Sequence, residues 1–214
     1  MTDHSATARA LLDRAGQTYA DQAGITLKDT PAPLYRLLVL ATLLSTRVQA
    51  DLAVAATREL VSAGMGTPER MRDAGWQQRV DAMGRANYTR VDEQMATALG
   101  DGAQQLLDEY GGDLRRLRAA ADGDPSRLRE LLTAFPRLGP VGADIYAREA
   151  QGIWPELRPT LDGKALDGAR TLDLPTDEQD LAGLVAGDRL PELAAALTRV
   201  ALDSDLAADV TGAA

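Results

Sequence analysis

Leu131-Leu132-Thr133-Ala134-Phe135-Pro136-Arg137-Leu138-Gly139-Pro140-Val141-Gly142-Ala143-Asp144, with Leu161-Asp162-Gly163-Lys164 a short way downstream, is the stretch on which the fold turns. A helix runs into the apolar Phe135-Pro136, and a tight turn closes at Gly139. Pro140 then opens a second helix in its favoured first position, where a missing N–H is no loss. Two helices joined this closely leave the leading N–H groups of the second one unpaired. That makes a small anion seat whose natural ligand is a phosphate. Gly and Pro between helices also form ordinary turns, so the surrounding sequence has to separate the two readings.

The chain has 214 residues, 45% of them apolar, enough for one sizeable core or two small lobes. It contains no cysteine, which excludes disulfides, a thiol nucleophile, an iron–sulfur cluster and a cysteine zinc site. The single histidine, His4, reads as part of a mobile N-terminus, so a histidine metal site or a Ser-His-Asp triad is not expected. No apolar run reaches transmembrane length, and the polar start Met1-Thr2-Asp3-His4 does not resemble a signal peptide. A cytoplasmic protein without membrane contact is expected. The net charge of -9 argues against a strong sequence-independent grip on nucleic acid but leaves room for a local basic face. Lys28 and Lys164 are the only lysines, so amine nucleophiles are scarce.

Helical periodicity recurs along the chain. It predicts a first helix over residues 5–24, a linker over 25–33, and a strongly apolar central helix marked by Leu34, Leu37, Leu38, Ala41, Leu44 and Val48. Further helices follow over 51–63, from Thr67-Pro68 onward, over 76–83, 91–99 and 103–110, and from Asp124-Pro125 into the opening motif. After residues 143–151 come the loop Gly152-Ile153-Trp154-Pro155 and two late helices, about 177–186 and 191–208. Nothing alternates as a strand should. The expected fold class is all-α, built from about ten to twelve short helices, with an Ala, Gly and Thr tail.

Three separated pieces, in order, resemble the helix–hairpin–helix DNA glycosylase superfamily, and within it the endonuclease III and MutY branch. The first is Leu43-Leu44-Ser45-Thr46-Arg47-Val48-Gln49-Ala50-Asp51. The second is Met83-Gly84-Arg85-Ala86-Asn87-Tyr88, similar to the family's Ile-Gly-x-Tyr-Asn loop. The third is the opening motif, set against Leu-Pro-Gly-Val-Gly-Arg-Lys-Thr-Ala-Asn and followed by Leu161-Asp162-Gly163-Lys164, set against Val-Asp-Thr-His. The likeness spans roughly residues 34–174.

The resemblance implies a two-lobed helical fold. A barrel over 34–147 would contain the helix–hairpin–helix at about 125–150, and 1–33 plus 148–214 would form the second lobe. DNA, expected as duplex, would lie across a cleft with one phosphate on the hairpin amides and a base flipped out of the stack. Asp162 matches the family's catalytic aspartate, which stabilises an oxocarbenium-like sugar or activates water. An aspartate ahead of a helix is also an ordinary N-cap, and for Asp162 both readings stand. Arg47 matches the residue that fills the hole left by a flipped base, and Arg85 the loop residue that wedges the opposite strand. Arg137, Leu138, Gly139, Val141 and Gly142 would form the phosphate seat, with Lys164 close by. Arg90, Arg148, Arg158 and Arg170 are further phosphate candidates, and Tyr35, Trp76, Tyr88, Tyr146 and Trp154 are candidates to stack on a base.

The chain departs from the family at three places. Val141 stands where bifunctional members carry the Schiff-base lysine, so lyase activity of that kind is not expected. Arg137 replaces the hairpin's first glycine, which strains the turn if that position needs a positive φ. The cluster cysteines are absent, so no cofactor is expected, with a monovalent cation at the hairpin carbonyls left open. The resemblance thus implies a monomeric, monofunctional DNA glycosylase in base excision repair, hydrolysing the bond to a damaged or mismatched base. The alternative is an inactive relative that binds damaged or branched DNA by shape.

Overall fold

The computed structural model describes residues 4–212 and is all-α, with no strand among them. Met1, Thr2 and Asp3 of the polar start, and the last two alanines of the tail, lie outside the described residues. The first expected helix divides into α1 (His4–Ala15) and α2 (Tyr19–Gln22). Gly16 makes the break: its amide closes onto the Leu12 carbonyl at 2.8 Å, and a Cβ there would overlap that same oxygen. His4 is the first residue of α1 and not part of a mobile end.

Next, α3 (Pro31–Leu44) starts before Leu34, because Pro31 takes the first helical turn after Thr30. Every residue from Leu34 to Leu43 except Arg36 is buried, as its all-round apolar sequence predicts. Each fully buried leucine contributes about 2 kcal/mol, which makes α3 the spine of its surroundings. Then α4 (Ala50–Ser62) stops ahead of Gly64, which has φ +92°. Thr67 caps α5 (Pro68–Asp73), and α6 (Trp76–Arg85) runs through Gly84, its expected end, to stop at Ala86.

Where two helices were expected, α7 (Asp92–Tyr110) is continuous through Gly100 and Gly102. Gly100 lies against the buried Arg79 guanidinium, which would sit 2.7 Å from a Cβ. The glycine is there for close approach, not as a breaker. Helix α8 (Leu114–Ala120), capped by Asp113, had no counterpart in the sequence reading. Asp124 caps α9 (Pro125–Thr133), and α10 (Gly139–Ala150) follows the turn. A 3₁₀ turn (Pro155–Leu157) leads to α11 (Gly163–Thr171) and α12 (Glu178–Ala182). After a second 3₁₀ turn, the expected helix over 191–208 is two, α13 (Leu190–Val200) and α14 (Ser204–Thr211). Asp203 restarts it by accepting from the Asp205 and Leu206 amides.

The chain clusters into two compact units. One takes in the chain through Tyr19 and from Ala147 onward; the other is residues 20–146. The core of the first gathers Leu11, Leu161, Leu172, Leu193 and Leu197. Within it α11 and α13 touch through Gly168, where a Cβ would overlap the Leu197 carbonyl oxygen. In the second, α3 packs on α4 and α8, α4 on α6, and α7 on α5 and α6, with Leu60, Met71, Met83, Met95 and Leu106 buried among them.

Candidate nucleic-acid interface and the Asp162 cluster

The turn between α9 and α10 places two left-handed residues on either side of Leu138: Arg137 at φ +63° and Gly139 at φ +59°. Glycine takes this conformation freely, whereas for arginine it costs about 1–2 kcal/mol. Gly139, the first residue of α10, thus enters the helix with a left-handed φ, and Pro140 follows it in the first turn. Gly142 makes the first closing bond, to the Leu138 carbonyl at 3.1 Å. The Gly139 and Val141 amides stand ahead of it at the positive end of the helix dipole. The Val141 side chain is 62% exposed, while the Leu138 side chain is buried. Leu138 as a whole is 1% exposed, its amide donating to the Phe135 carbonyl at 3.2 Å and its carbonyl accepting from Gly142, so it supports the turn and does not face a ligand.

Three segments of the 20–146 unit converge here. Ser45, just after α3, donates its hydroxyl to the Arg137 carbonyl at 3.4 Å, and its Cβ would lie 3.3 Å from one placed on Gly142. Its neighbour Thr46 shares a 2.7 Å hydrogen bond with the Tyr88 hydroxyl, tying the 43–51 segment to the 83–88 loop. Burial pushes the Tyr88 phenol above its ordinary value, so it stays protonated and donates to the Leu43 carbonyl at 3.2 Å. From α7, Gln94 accepts from the Arg137 guanidinium at 2.5 Å. Arg47 is exposed in the loop between α3 and α4. Arg85, at the end of α6, is exposed and paired with Glu59 at 2.7 Å, beside a groove of about 220 Å³ lined by Met65, Gln78 and Asp81. A surface pair of this kind is worth about 0.2–1 kcal/mol and exchanges readily for a phosphate.

Asp162 belongs to the other unit. It is the N-cap of α11: Oδ1 accepts from the Ala165 amide at 3.0 Å. Its Oδ2 accepts from Arg148 Nη1 at 2.6 Å, and 16% of its side chain is open to solvent. Arg148, a phosphate candidate by sequence, is 3% exposed and stacks over the Tyr19 ring at 5.4 Å, so it cannot meet a phosphate as placed. Its Nε lies 3.8 Å from Glu149 Oε1, and its Nη1 3.4 Å from the Thr198 hydroxyl. This buried cluster escaped sequence reasoning, because Arg148 and Glu149 look like ordinary helix-surface charges. The one available signal was their adjacency on a helix whose only other charged residue is Asp144.

Other candidates resolve simply. Tyr35, Tyr88, Tyr146 and Trp154 are core residues, while Trp76 is 41% exposed and donates to Thr97 and the Glu93 carbonyl. Arg158 is bound to the carbonyls of Gln151 and Gly152. Lys164 and Arg170 are exposed and both pair with Asp167; Arg90 is exposed. Among the described residues, no group of three or more His, Cys, Asp or Glu side chains is placed to hold a metal ion, and no helix is long and apolar enough to cross a membrane. Set against protein-family models, curated proteins and solved structures, the chain matches none.

Proposed function

We propose that this chain is a two-lobed, monofunctional DNA glycosylase of the helix–hairpin–helix kind, acting in base excision repair on duplex DNA. It works as a monomer in the cytoplasm, bound to the nucleoid when on DNA. The observation that carries the reading is that the 43–51 segment touches both other stretches, Ser45 bonding the Arg137 carbonyl of the 135–142 turn and its neighbour Thr46 bonding Tyr88 of the 83–88 loop. Three distant stretches that each resemble a DNA-contacting element have a common surface, with Arg47, Arg137 and Val141 exposed on it.

In this reading one phosphate sits on the Gly139 and Val141 amides with Arg137 beside it, and Arg47 and Arg85 probe the duplex. The target base is flipped out, and its bond to C1′ breaks with the electron pair leaving on the base, which is then protonated. Asp162 supplies negative charge to the cationic sugar, and water adds to C1′ and gives up a proton. Val141 carries no nucleophile, so the product is an intact abasic strand.

A panel of duplexes, each with one lesion, is to be scored for abasic sites after alkali. Wild type should cleave at least one, and Asp162→Asn should lose about 100-fold or more of that rate. Equal cleavage by both removes Asp162 from the mechanism. The second reading, an inactive protein that recognises damaged or branched DNA by shape, is favoured by the engagement of both Asp162 oxygens. It predicts tight, structure-selective binding with no abasic product from any lesion.

A further inference from the structure

An N-cap needs one carboxylate oxygen, and Asp162 uses Oδ1 for it, at 3.0 Å from the Ala165 amide. The second oxygen is held just as firmly, by a guanidinium that the fold buries to 3% exposure. Burying an arginine is unfavourable unless its geometry is well matched, so a buried one spent on an already satisfied cap calls for a reason. Its surroundings fix it closely. The Tyr19 ring lies against the guanidinium, and Nη1 also reaches the Thr198 hydroxyl, which is anchored by donating to the Ala194 carbonyl at 2.8 Å. Glu149 stands 3.8 Å from Nε. All of these belong to one compact unit.

We infer that Arg148 is the positioning residue of Asp162. It fixes the carboxylate plane from the side opposite the cap and leaves the remaining open face to present negative charge without reorganisation. The inference rests on the glycosylase reading and deepens it. A carboxylate held at one oxygen can still turn about its last bond, whereas one held at both cannot. Preorganised charge stabilises a cation better than charge that must first rotate into place. The opposite possibility is that the arginine silences the carboxylate by cancelling its charge, and the two make opposite predictions for removing it.

The test needs no knowledge of the lesion. A duplex with one pyrrolidine abasic-site analogue, whose ring nitrogen is protonated, imitates the cationic sugar; the same duplex with a tetrahydrofuran analogue is its neutral control. The ratio of the two Kd values is measured for each variant. Wild type should prefer the cationic duplex by about 10-fold or more. Asp162→Asn should abolish that preference. Arg148→Met should reduce it to about 2-fold or less, with affinity for the neutral duplex unchanged, and Arg148→Lys should restore part of it. A wild-type or larger preference in Arg148→Met overturns the inference while leaving the glycosylase reading intact. No preference in wild type removes both. Should Arg148→Met fail to fold by circular dichroism, Arg148→Lys decides: a lowered preference supports positioning, and an unchanged one overturns it.

Discussion

The arginines of the candidate interface and the arginine beside Asp162 serve opposite ends. In residues 20–146, Arg47, Arg85 and Arg137 stand at loop and helix ends with their heads in water, each with at most one light surface partner. In the other unit, Arg148 is enclosed and engaged on several sides, and Arg199 approaches the Tyr19 ring at 4.6 Å. Exposed arginines are available to an arriving phosphate and contribute little to folding. A buried one is a structural commitment, because its removal strands the carboxylates around it. The first group is therefore expected to report on binding and the second on stability and on the geometry of Asp162.

The largest effect is expected from breaking the buried group: Arg148→Met should destabilise by about 3–5 kcal/mol in urea or thermal unfolding, whereas Arg47→Ala should change stability by less than about 0.5 kcal/mol. Next comes Gly168→Ala, which drives a methyl into the Leu197 backbone and should lose about 1–3 kcal/mol. Arg137→Gly sharpens the contrast in the other direction. It relieves a left-handed arginine and should raise stability by about 1 kcal/mol, while duplex affinity falls and the slope of log K against log salt shrinks by about one. A variant that gains both stability and affinity would show that Arg137 plays no part in binding.

The smallest effect concerns the cap of α8. Arg115 holds the Asp113 carboxyl below its ordinary range, through a hydrogen bond and with added help from the Arg115 amide. A depressed folded value means that this contribution is present above the unfolded carboxyl pKa of about 3.9 and is lost as pH falls through the folded value. Asp113→Ala should lose about 0.5–1 kcal/mol at pH 7 and nothing further in strong acid, as thermal unfolding at both pH values would show.

Local signals were legible where a few adjacent residues suffice. Thr67-Pro68 and Asp124-Pro125 begin helices because cap and proline act within one turn, and α3 is buried because its apolar residues surround its axis. The conditional strain at Arg137 was readable for the same reason, since φ at a turn depends on immediate neighbours. Glycine was misread in both directions. Gly16 ends a helix that periodicity carried onward, while Gly100 sits inside one that it appeared to stop. The difference lies in what each glycine faces: a carbonyl of its own helix in one case, the guanidinium of a distant Arg79 in the other.

The sequence by itself determined an all-α chain, the helix–turn–helix at residues 125–150 and the candidate residues on its surface, because backbone propensity, capping and turn chemistry act over a few positions. Only the tertiary structure decided which charges are available. Arg148 and Arg47 are the same amino acid, and both are candidate DNA contacts by sequence, yet one is sealed against Tyr19 and Asp162 and the other is exposed. Burial is set by what packs over a side chain, and the residues around Arg148, Tyr19 at the start of α2, Asp162 at the cap of α11 and Thr198 in α13, come from distant parts of the chain.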